Sequence, residues 1–193
     1  VRAQGLGARV FITEIDPVRA IEAVMDGFEV MKMDDAAKIG DIFVTATGCH
    51  HIITTKHMLT MKEGAILTNA GHFNVEVDME GLEKIQIEKK EMRKNIMGYK
   101  LPNGKWVNVI ADGRLVNIAA ADGHPVEIMD MSFGVQLLGA MYVLDNKGKL
   151  ENKVINVTEE IDNKVATLKL KAWDIEIDKL TDEQKKYLDS WNL

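Results

Sequence analysis

Apolar residues run along this chain in two rhythms. Short, nearly unbroken runs rich in β-branched and aromatic residues predict buried strands: Val10-Phe11-Ile12-Thr13, Asp41-Ile42-Phe43-Val44-Thr45-Ala46 and Ala65-Ile66-Leu67-Thr68-Asn69, with a weaker run at Phe28-Glu29-Val30-Met31. Helical periods lie between them. Asp16 is the expected N-cap of the first, Pro17 its first helical residue, and Ile21, Ala23, Val24 and Met25 its apolar face, ending at Gly27. Asp34 to Ile39 predicts a short helix stopped by Gly40, and Thr55 to Lys62 another stopped by Gly64. Strands therefore recur at spacings of about 20–25 residues, the mark of βαβ units and a parallel sheet covered on both faces.

After Glu80 the rhythm changes. Ile85-Gln86-Ile87-Glu88 alternates, Glu83 to Lys100 is densely charged, and Pro102-Asn103-Gly104 signals a turn before Trp106-Val107-Asn108-Val109-Ile110. A hairpin or edge pair is expected there. Pro125 to Leu144 predicts a long apolar helix, Asp145-Asn146-Lys147-Gly148-Lys149 a solvated break, and Thr158 to Lys171 and Thr181 to Leu188 two further helices. The pattern predicts an α/β fold, a doubly wound parallel sheet followed by helices.

Composition adds bounds. The 193 residues carry 24 Lys and Arg against 30 Asp and Glu, a net charge of −6, with 46% hydrophobic residues. That is a globular profile, not a disordered or collagenous one. The negative balance argues against nucleic acid as the main partner. The single cysteine, Cys49, excludes an internal disulfide framework, so a reducing, cytoplasmic setting is expected. Uninterrupted apolar runs such as Val135 to Leu144 fall short of the roughly 20 residues of a membrane span, so no membrane partner is expected.

In a doubly wound sheet, ligands sit at the carboxyl ends of the strands. Those ends carry Thr13-Glu14-Ile15-Asp16, Thr45-Ala46-Thr47-Gly48-Cys49 and Asn69-Ala70-Gly71-His72-Phe73. The glycines of Gly5-Leu6-Gly7 precede a strand and close a helix, so they read as a helix end rather than a phosphate loop. An acid such as Glu14 after a strand is either a solvated loop residue or the acceptor for a ribose diol. His72 follows Gly71 where a backbone can approach a ligand, and His124 precedes the long helix; each is also readable as an ordinary loop histidine. His50, His51 and His57 have no paired spacing with carboxylates, so no metal site is expected. Cys49 has no activating base beside it in the sequence, and the Met-rich helix from Met129 reads as core or as a wall for a base.

Taken in order, Thr13-Glu14-Ile15-Asp16-Pro17, Met25-Asp26-Gly27-Phe28, Asp41 to Gly48, Asn69-Ala70-Gly71-His72-Phe73, Gly113-Arg114-Leu115-Val116-Asn117, Gly123-His124-Pro125 and Leu180-Thr181-Asp182-Glu183-Gln184 resemble the S-adenosyl-L-homocysteine hydrolase (adenosylhomocysteinase) family over nearly the whole chain. The resemblance implies a Rossmann-like, doubly wound NAD-binding domain over residues 1–122 that is incomplete at its N-terminus, a helical segment over 123–193 that packs on the missing substrate domain, and NAD as a recycled cofactor. It implies oxidation of the substrate ribose 3′-hydroxyl to a ketone, elimination of homocysteine, addition of water and reduction back. It also implies a homotetrameric hydrolase of one-carbon metabolism acting on a nucleoside thioether. Position by position, it implies that Glu14, with Arg19 beside it, holds the adenosine ribose of NAD, and that Thr47, Gly48 and Cys49 line the cofactor. Ala70, Gly71 and His72 would approach the nicotinamide and substrate ribose, with Asn117 and His124 completing that side. His72 and His124 are the implied catalytic residues, and Leu115, Met129 and Phe133 flank the substrate base.

Some positions depart from the family pattern. Arg19 stands where many members have Asn or Lys, Asn74 where Asp is common, and Asp122 where an apolar residue lies near the base, which raises hypoxanthine as an alternative to adenine. The ending at Trp191-Asn192-Leu193 lacks the family's longer tail. The upstream substrate domain, first strand and glycine fingerprint of the family are also absent, so the chain is expected to be an inactive fragment of a longer parent. Two rivals stand beside this reading. A D-2-hydroxyacid dehydrogenase cofactor domain would need a catalytic Arg with a His–Glu pair, and the Gly-His-Phe and Gly-His-Pro motifs count against it. A non-catalytic regulatory relative is the other.

Overall fold

The computed structural model describes residues 1–190, so the ending at Trp191-Asn192-Leu193 lies outside the described residues. The chain divides into two compact units, Val1–Gly123 and one starting at His124.

The first unit opens with a short helix α1 (Arg2–Gly5), strand β1 (Phe11–Ile12), helix α2 (Pro17–Met25), strand β2 (Glu29–Val30), helix α3 (Met33–Ile39) and strand β3 (Ile42–Thr45). Helix α4 (Thr55–Met58), strand β4 (Ala65–Asn69), helix α5 (Met79–Ile85), strands β5 (Glu88–Arg93), β6 (Ile96–Lys100) and β7 (Trp106–Ile110) and helix α6 (Val116–Ala119) follow. Asp16 caps α2 as expected. Its carboxylate accepts from the amides of Val18 at 2.8 Å and Arg19 at 3.4 Å, and Pro17 begins the helix. Gly5-Leu6-Gly7 closes α1 ahead of β1.

Helix α4 is shorter than the expected Thr55 to Lys62. His57 turns back to accept the Thr54 amide at 3.1 Å. Thr60 then bonds the His57 carbonyl and Asn103 the Leu59 carbonyl, both at 2.8 Å, and the chain leaves the helix as a turn. Imidazole Nε2 of His57 lies 3.1 Å from Asp34, so this histidine is tied into packing between α3 and α4. Gly40 ends α3 in extended backbone (φ −71°). A Cβ there would meet the Phe43 ring at 2.6 Å, so the glycine serves packing rather than a left-handed stop.

The strands form two sheets. β1 and β2 pair in parallel, and β3-β4-β7-β6-β5 make a five-stranded sheet. β3, β4 and β7 run parallel, with Ile42 opposite Ile66 and Leu67 opposite Val109. β6 is antiparallel to both β7 and β5. The expected hairpin at Pro102-Asn103-Gly104 is thus β6–β7, but Trp106 to Ile110 is an interior strand rather than an edge. One edge is β5, whose six residues, Glu, Lys, Lys, Glu, Met and Arg, are all exposed, and the other is β3. Charge on an edge strand discourages pairing with another chain. The charged stretch from Glu83 to Lys100 hides the end of α5 and both β5 and β6 in the sequence.

The core lies on one face of the larger sheet, where Phe43, Leu67, Val107 and Val109 meet Ile53, Met58, Met61 and Leu82. Each such side chain contributes about 1.5–3 kcal/mol by leaving water. The opposite face of β3 is open: Ile42 and Val44 are each 64% exposed. Val18, Ile21, Val24 and Met25 of α2 are also exposed. Among the described residues β3 pairs only with β4, and β1 only with β2.

The second unit contains helices α7 (Val126–Asp145), α8 (Glu159–Ala172) and α9 (Asp182–Asp189). α7 and α8 pack through Gly134, whose absent side chain would lie 3.4 Å from Val165. A Lys169–Asp130 ion pair at 2.7 Å adds to that contact. Thr181 and Gln184 form a capping box on α9. α7 is 20 residues long and, with a mean hydropathy of 1.2, is long and apolar enough to cross a membrane. Glu127, Asp130 and Gln136 divide its apolar residues, so no uninterrupted apolar run of that length stands in the sequence.

Candidate functional site

The carboxyl ends of β3, β4 and β7 are joined by two buried polar side chains. Asn69, the last residue of β4, is fully buried. Its Oδ1 accepts from the Gly71 amide at 2.6 Å and the Thr45 hydroxyl at 3.3 Å. Its Nδ2 donates to the carbonyls of Phe73 at 2.7 Å and Gly113 at 2.9 Å. Asn69 therefore ties the ends of β3 and β4 to the turn after β7. That turn is left-handed at Ala111 (φ 53°), Asp112 (φ 53°) and Gly113 (φ 73°), and it delivers Leu115 into a bridge with Asn69. A non-glycine residue in this region costs about 1–2 kcal/mol. Ala111→Gly is expected to be neutral or to stabilise by up to about 1 kcal/mol, because strain relief offsets unfolded-state entropy. Urea unfolding of the variant checks this, and a loss above that size would show that the alanine methyl, which is buried, outweighs the strain.

Glu76 is the second buried group, 1% exposed. Its carboxylate accepts from the Thr47 amide (3.1 and 2.9 Å to its two oxygens), the Thr47 hydroxyl at 2.9 Å and the Gly48 amide at 2.8 Å. Burial pushes the carboxyl up, but the Thr47 and Gly48 amides, with the hydroxyls of Thr47 and Thr45, outweigh it and hold it below the usual carboxylate range. A depressed pKa of this kind contributes stability that is fully present above the ordinary value. That stability is lost as pH falls through the lowered one. Gly48 itself has φ 70°, so the loop needs glycine there.

Gly71 lies against this carboxylate. A Cβ on Gly71 would fall within bonding distance of Glu76 Oε1 and 2.9 Å from Asn69 Oδ1. The space beside Gly71 is thus filled from within the chain. The neighbouring Ala70 and His72 are exposed, with His72 edge-on to Phe73 at 5.1 Å.

The other expected positions are distributed as follows. Glu14 and Arg19 stand just beyond β1 and in the first turn of α2, on the smaller sheet. Glu14 Oε1 accepts from the Ile15 amide at 2.6 Å and the Asp16 amide at 3.0 Å, while Oε2 holds no hydrogen bond among the described residues. The Asp16 and Ile15 amides lower its pKa, with a smaller part from Arg19. Cys49 is an exposed thiol whose amide donates to the Thr47 hydroxyl at 3.1 Å. Asn117 is half-buried in α6. His124, Met129 and Phe133 belong to the second unit; Met129 and Phe133 are one turn apart on α7, and Phe133 is 57% exposed. Among the described residues no three His, Cys, Asp or Glu side chains gather as a metal site would require.

The structure thus brings Thr47, Gly48, Gly71 and Leu115 together around Asn69 and Glu76. Of these two hubs, the sequence marks Asn69 only as a strand end and leaves Glu76 unmarked. The one signal for Glu76 was an acid between two β-branched residues in Val75-Glu76-Val77. The site suits a dinucleotide in this chain's own terms. A carboxylate with a free oxygen stands just beyond β1, where a ribose diol can donate to it, and loops held by buried hydrogen bonds end β3 and β4.

A mostly parallel sheet with its ligand-facing loops at the strand ends defines a Rossmann-type dinucleotide-binding domain. Residues 2–123 match the family described as "S-adenosyl-L-homocysteine hydrolase, NAD binding domain". The chain is 58% identical over 190 residues to the adenosylhomocysteinase of Saccharolobus solfataricus, covering 98% of this chain and 46% of that protein. It is 55% identical over 192 residues to that of Aquifex aeolicus, covering 100% and 46%. Among solved structures, a D-lactate dehydrogenase from Treponema pallidum is 17% identical with a TM-score of 0.38, covering 92% of this chain and 50% of that one. The chain belongs to the S-adenosyl-L-homocysteine hydrolase family and carries its NAD-binding domain. It spans about half the length of the curated relatives it matches.

Proposed function

We propose that this chain is the cofactor-holding part of an adenosylhomocysteinase whose full-length form reversibly hydrolyses S-adenosyl-L-homocysteine to adenosine and homocysteine. The observation that carries the reading is the match of residues 2–123 to the NAD-binding domain, joined to a free carboxylate oxygen on Glu14 at the end of β1. Bound NAD would accept a hydride from the substrate ribose 3′-carbon and later return it. Glu14 would accept hydrogen bonds from the adenosine ribose diol, its charge disfavouring a phosphate there. The loops at Thr47-Gly48-Cys49 and Ala70-Gly71-His72 would bear on the nicotinamide side. His72, exposed beside Phe73, is the chain's proposed proton carrier there, with Asn117 and His124 as further polar groups. Leu115, Met129 and Phe133 are the proposed flank of the substrate base. The open edge of β3 and the exposed Ile42 and Val44 suit cover by another segment of the full-length protein, so the test belongs on that protein.

Full-length protein is expected to bind NAD in calorimetric titration and to release homocysteine from S-adenosylhomocysteine. Turnover of a 2-oxo acid instead would favour a dehydrogenase, and NAD binding without turnover a regulatory relative. Glu14→Ala is expected to weaken NAD binding by about 10–100-fold, the worth of one or two hydrogen bonds to a charged acceptor. An unchanged affinity would remove Glu14 from the site.

A further inference from the structure

Glu76 has a geometry that ordinary packing does not require. It is a carboxylate, almost wholly buried, with no lysine or arginine bonded to it. A buried charge without a counter-ion persists only where oriented dipoles replace its water. The dipoles here are the amides of Thr47 and Gly48 and the Thr47 hydroxyl, all belonging to the loop after β3. That loop's residues are exposed, but its amides point inward. Glu76 is held from behind by its own backbone. Its carbonyl accepts from the amides of Ile52 at 2.8 Å and Ile53 at 3.0 Å, and Val77 bridges to Ile53. On its other flank it fills the space left by Gly71, in the loop after β4.

We propose that Glu76 is a positioning residue for the nicotinamide half of the cofactor: its carboxylate fixes the Thr47-Gly48 loop against the Gly71-His72 loop and acts through them rather than by touching the ligand. The inference rests on the reading that these two loops face NAD. Charge is the point of the device. Two carboxylate oxygens can accept from two amides and a hydroxyl at once, whereas the amide of a glutamine offers one acceptor oxygen and turns an NH2 toward another donor. An unpaired N–H would then be left in the loop, and the loop would find water by moving outward.

The test uses the full-length protein and two probes, NAD and ADP-ribose, the latter lacking the nicotinamide. Glu76→Gln is expected to raise the NAD dissociation constant at least tenfold while leaving that of ADP-ribose within about twofold. Amide hydrogen exchange at Thr47 and Gly48 is expected to accelerate at least tenfold, with that of β4 and β7 unchanged. Equal weakening of both probes would mean that Glu76 supports the fold in general, and an unchanged NAD constant would mean that the loop does not depend on it; either overturns the proposal. If Glu76→Gln does not fold, Glu76→Asp is read by the same ratio of the two probes, since it keeps the charge but shortens its reach to the Thr47 and Gly48 amides. Failure of the unaltered protein to bind NAD would instead sink the reading of the site, which keeps the two outcomes apart.

Discussion

Gly71→Ala is expected to destabilise the first unit by about 3–5 kcal/mol, because overpacking a pinned site adds to the loss of buried hydrogen bonds. The new methyl would overlap the Glu76 carboxylate and crowd Asn69 Oδ1 at 2.9 Å. Long flexible side chains usually swing away from such a clash. Glu76 cannot do so cheaply, since its carboxylate is held by Thr47 and Gly48 and lies out of water. Moving it leaves inward-pointing amides unpaired, each at about 1–3 kcal/mol. Domains of ordinary stability hold only about 5–15 kcal/mol, so the variant is expected to fall close to the threshold. A double-mutant cycle with Glu76→Ala checks the cause. With the carboxylate gone, the added cost of Gly71→Ala is expected to drop below about 1.5 kcal/mol. Strict additivity would show that Gly71 is required by something other than Glu76.

Much of this arrangement was legible in the sequence, and the illegible parts have physical reasons. The runs at Ile42 to Thr45 and Ala65 to Asn69 announced parallel strands because both faces of such strands are apolar, and β3 and β4 follow them closely. Asp16-Pro17 announced α2 through capping chemistry that is local to a few residues. The hairpin strand β5 was hidden because an edge strand protected by charge has a solvated, not an alternating, sequence. Helix α4 was overestimated because the bond that ends it comes from Asn103, which is distant in sequence. The strand-end loops could be singled out as a class. Their organisation could not, because it depends on Glu76 and Asn69 meeting partners 28 and 44 residues away. No spacing rule marks such a contact. The second unit was legible as helices, and the roles of His124, Met129 and Phe133 rest on the family resemblance alone.

Asn69→Asp, the smallest change available in the interior, is expected to be the most damaging of those considered. The two side chains have the same shape, but the aspartate has no N–H to donate. The carbonyls of Phe73 and Gly113, now at 2.7 and 2.9 Å from an Nδ2 donor, would each face a carboxylate oxygen. The site is fully buried, with the ionised Glu76 nearby across Gly71, so a new charge there lies out of bulk solvent and beside a like charge. An uncompensated buried charge costs about 3–5 kcal/mol. The new carboxyl escapes part of that by holding a proton, which lets it donate one of the two lost bonds. Its folded-state pKa is therefore raised above the unfolded value of about 3.9. The protonated folded form is favoured at low pH. The penalty accordingly grows as pH rises above the unfolded value and levels off once the folded-state value is passed. Urea unfolding at pH 5 and pH 8 is expected to give a larger gap between variant and unaltered protein at pH 8, and a gap that narrows there would refute the assignment of both Nδ2 bonds. The same variant is expected to free the turn at Ala111 to Gly113, because Asn69 is what joins Gly113 to β4. Leu115 and Asn117, which follow that turn, would then lose their anchor while Glu14, on the other sheet, keeps its place.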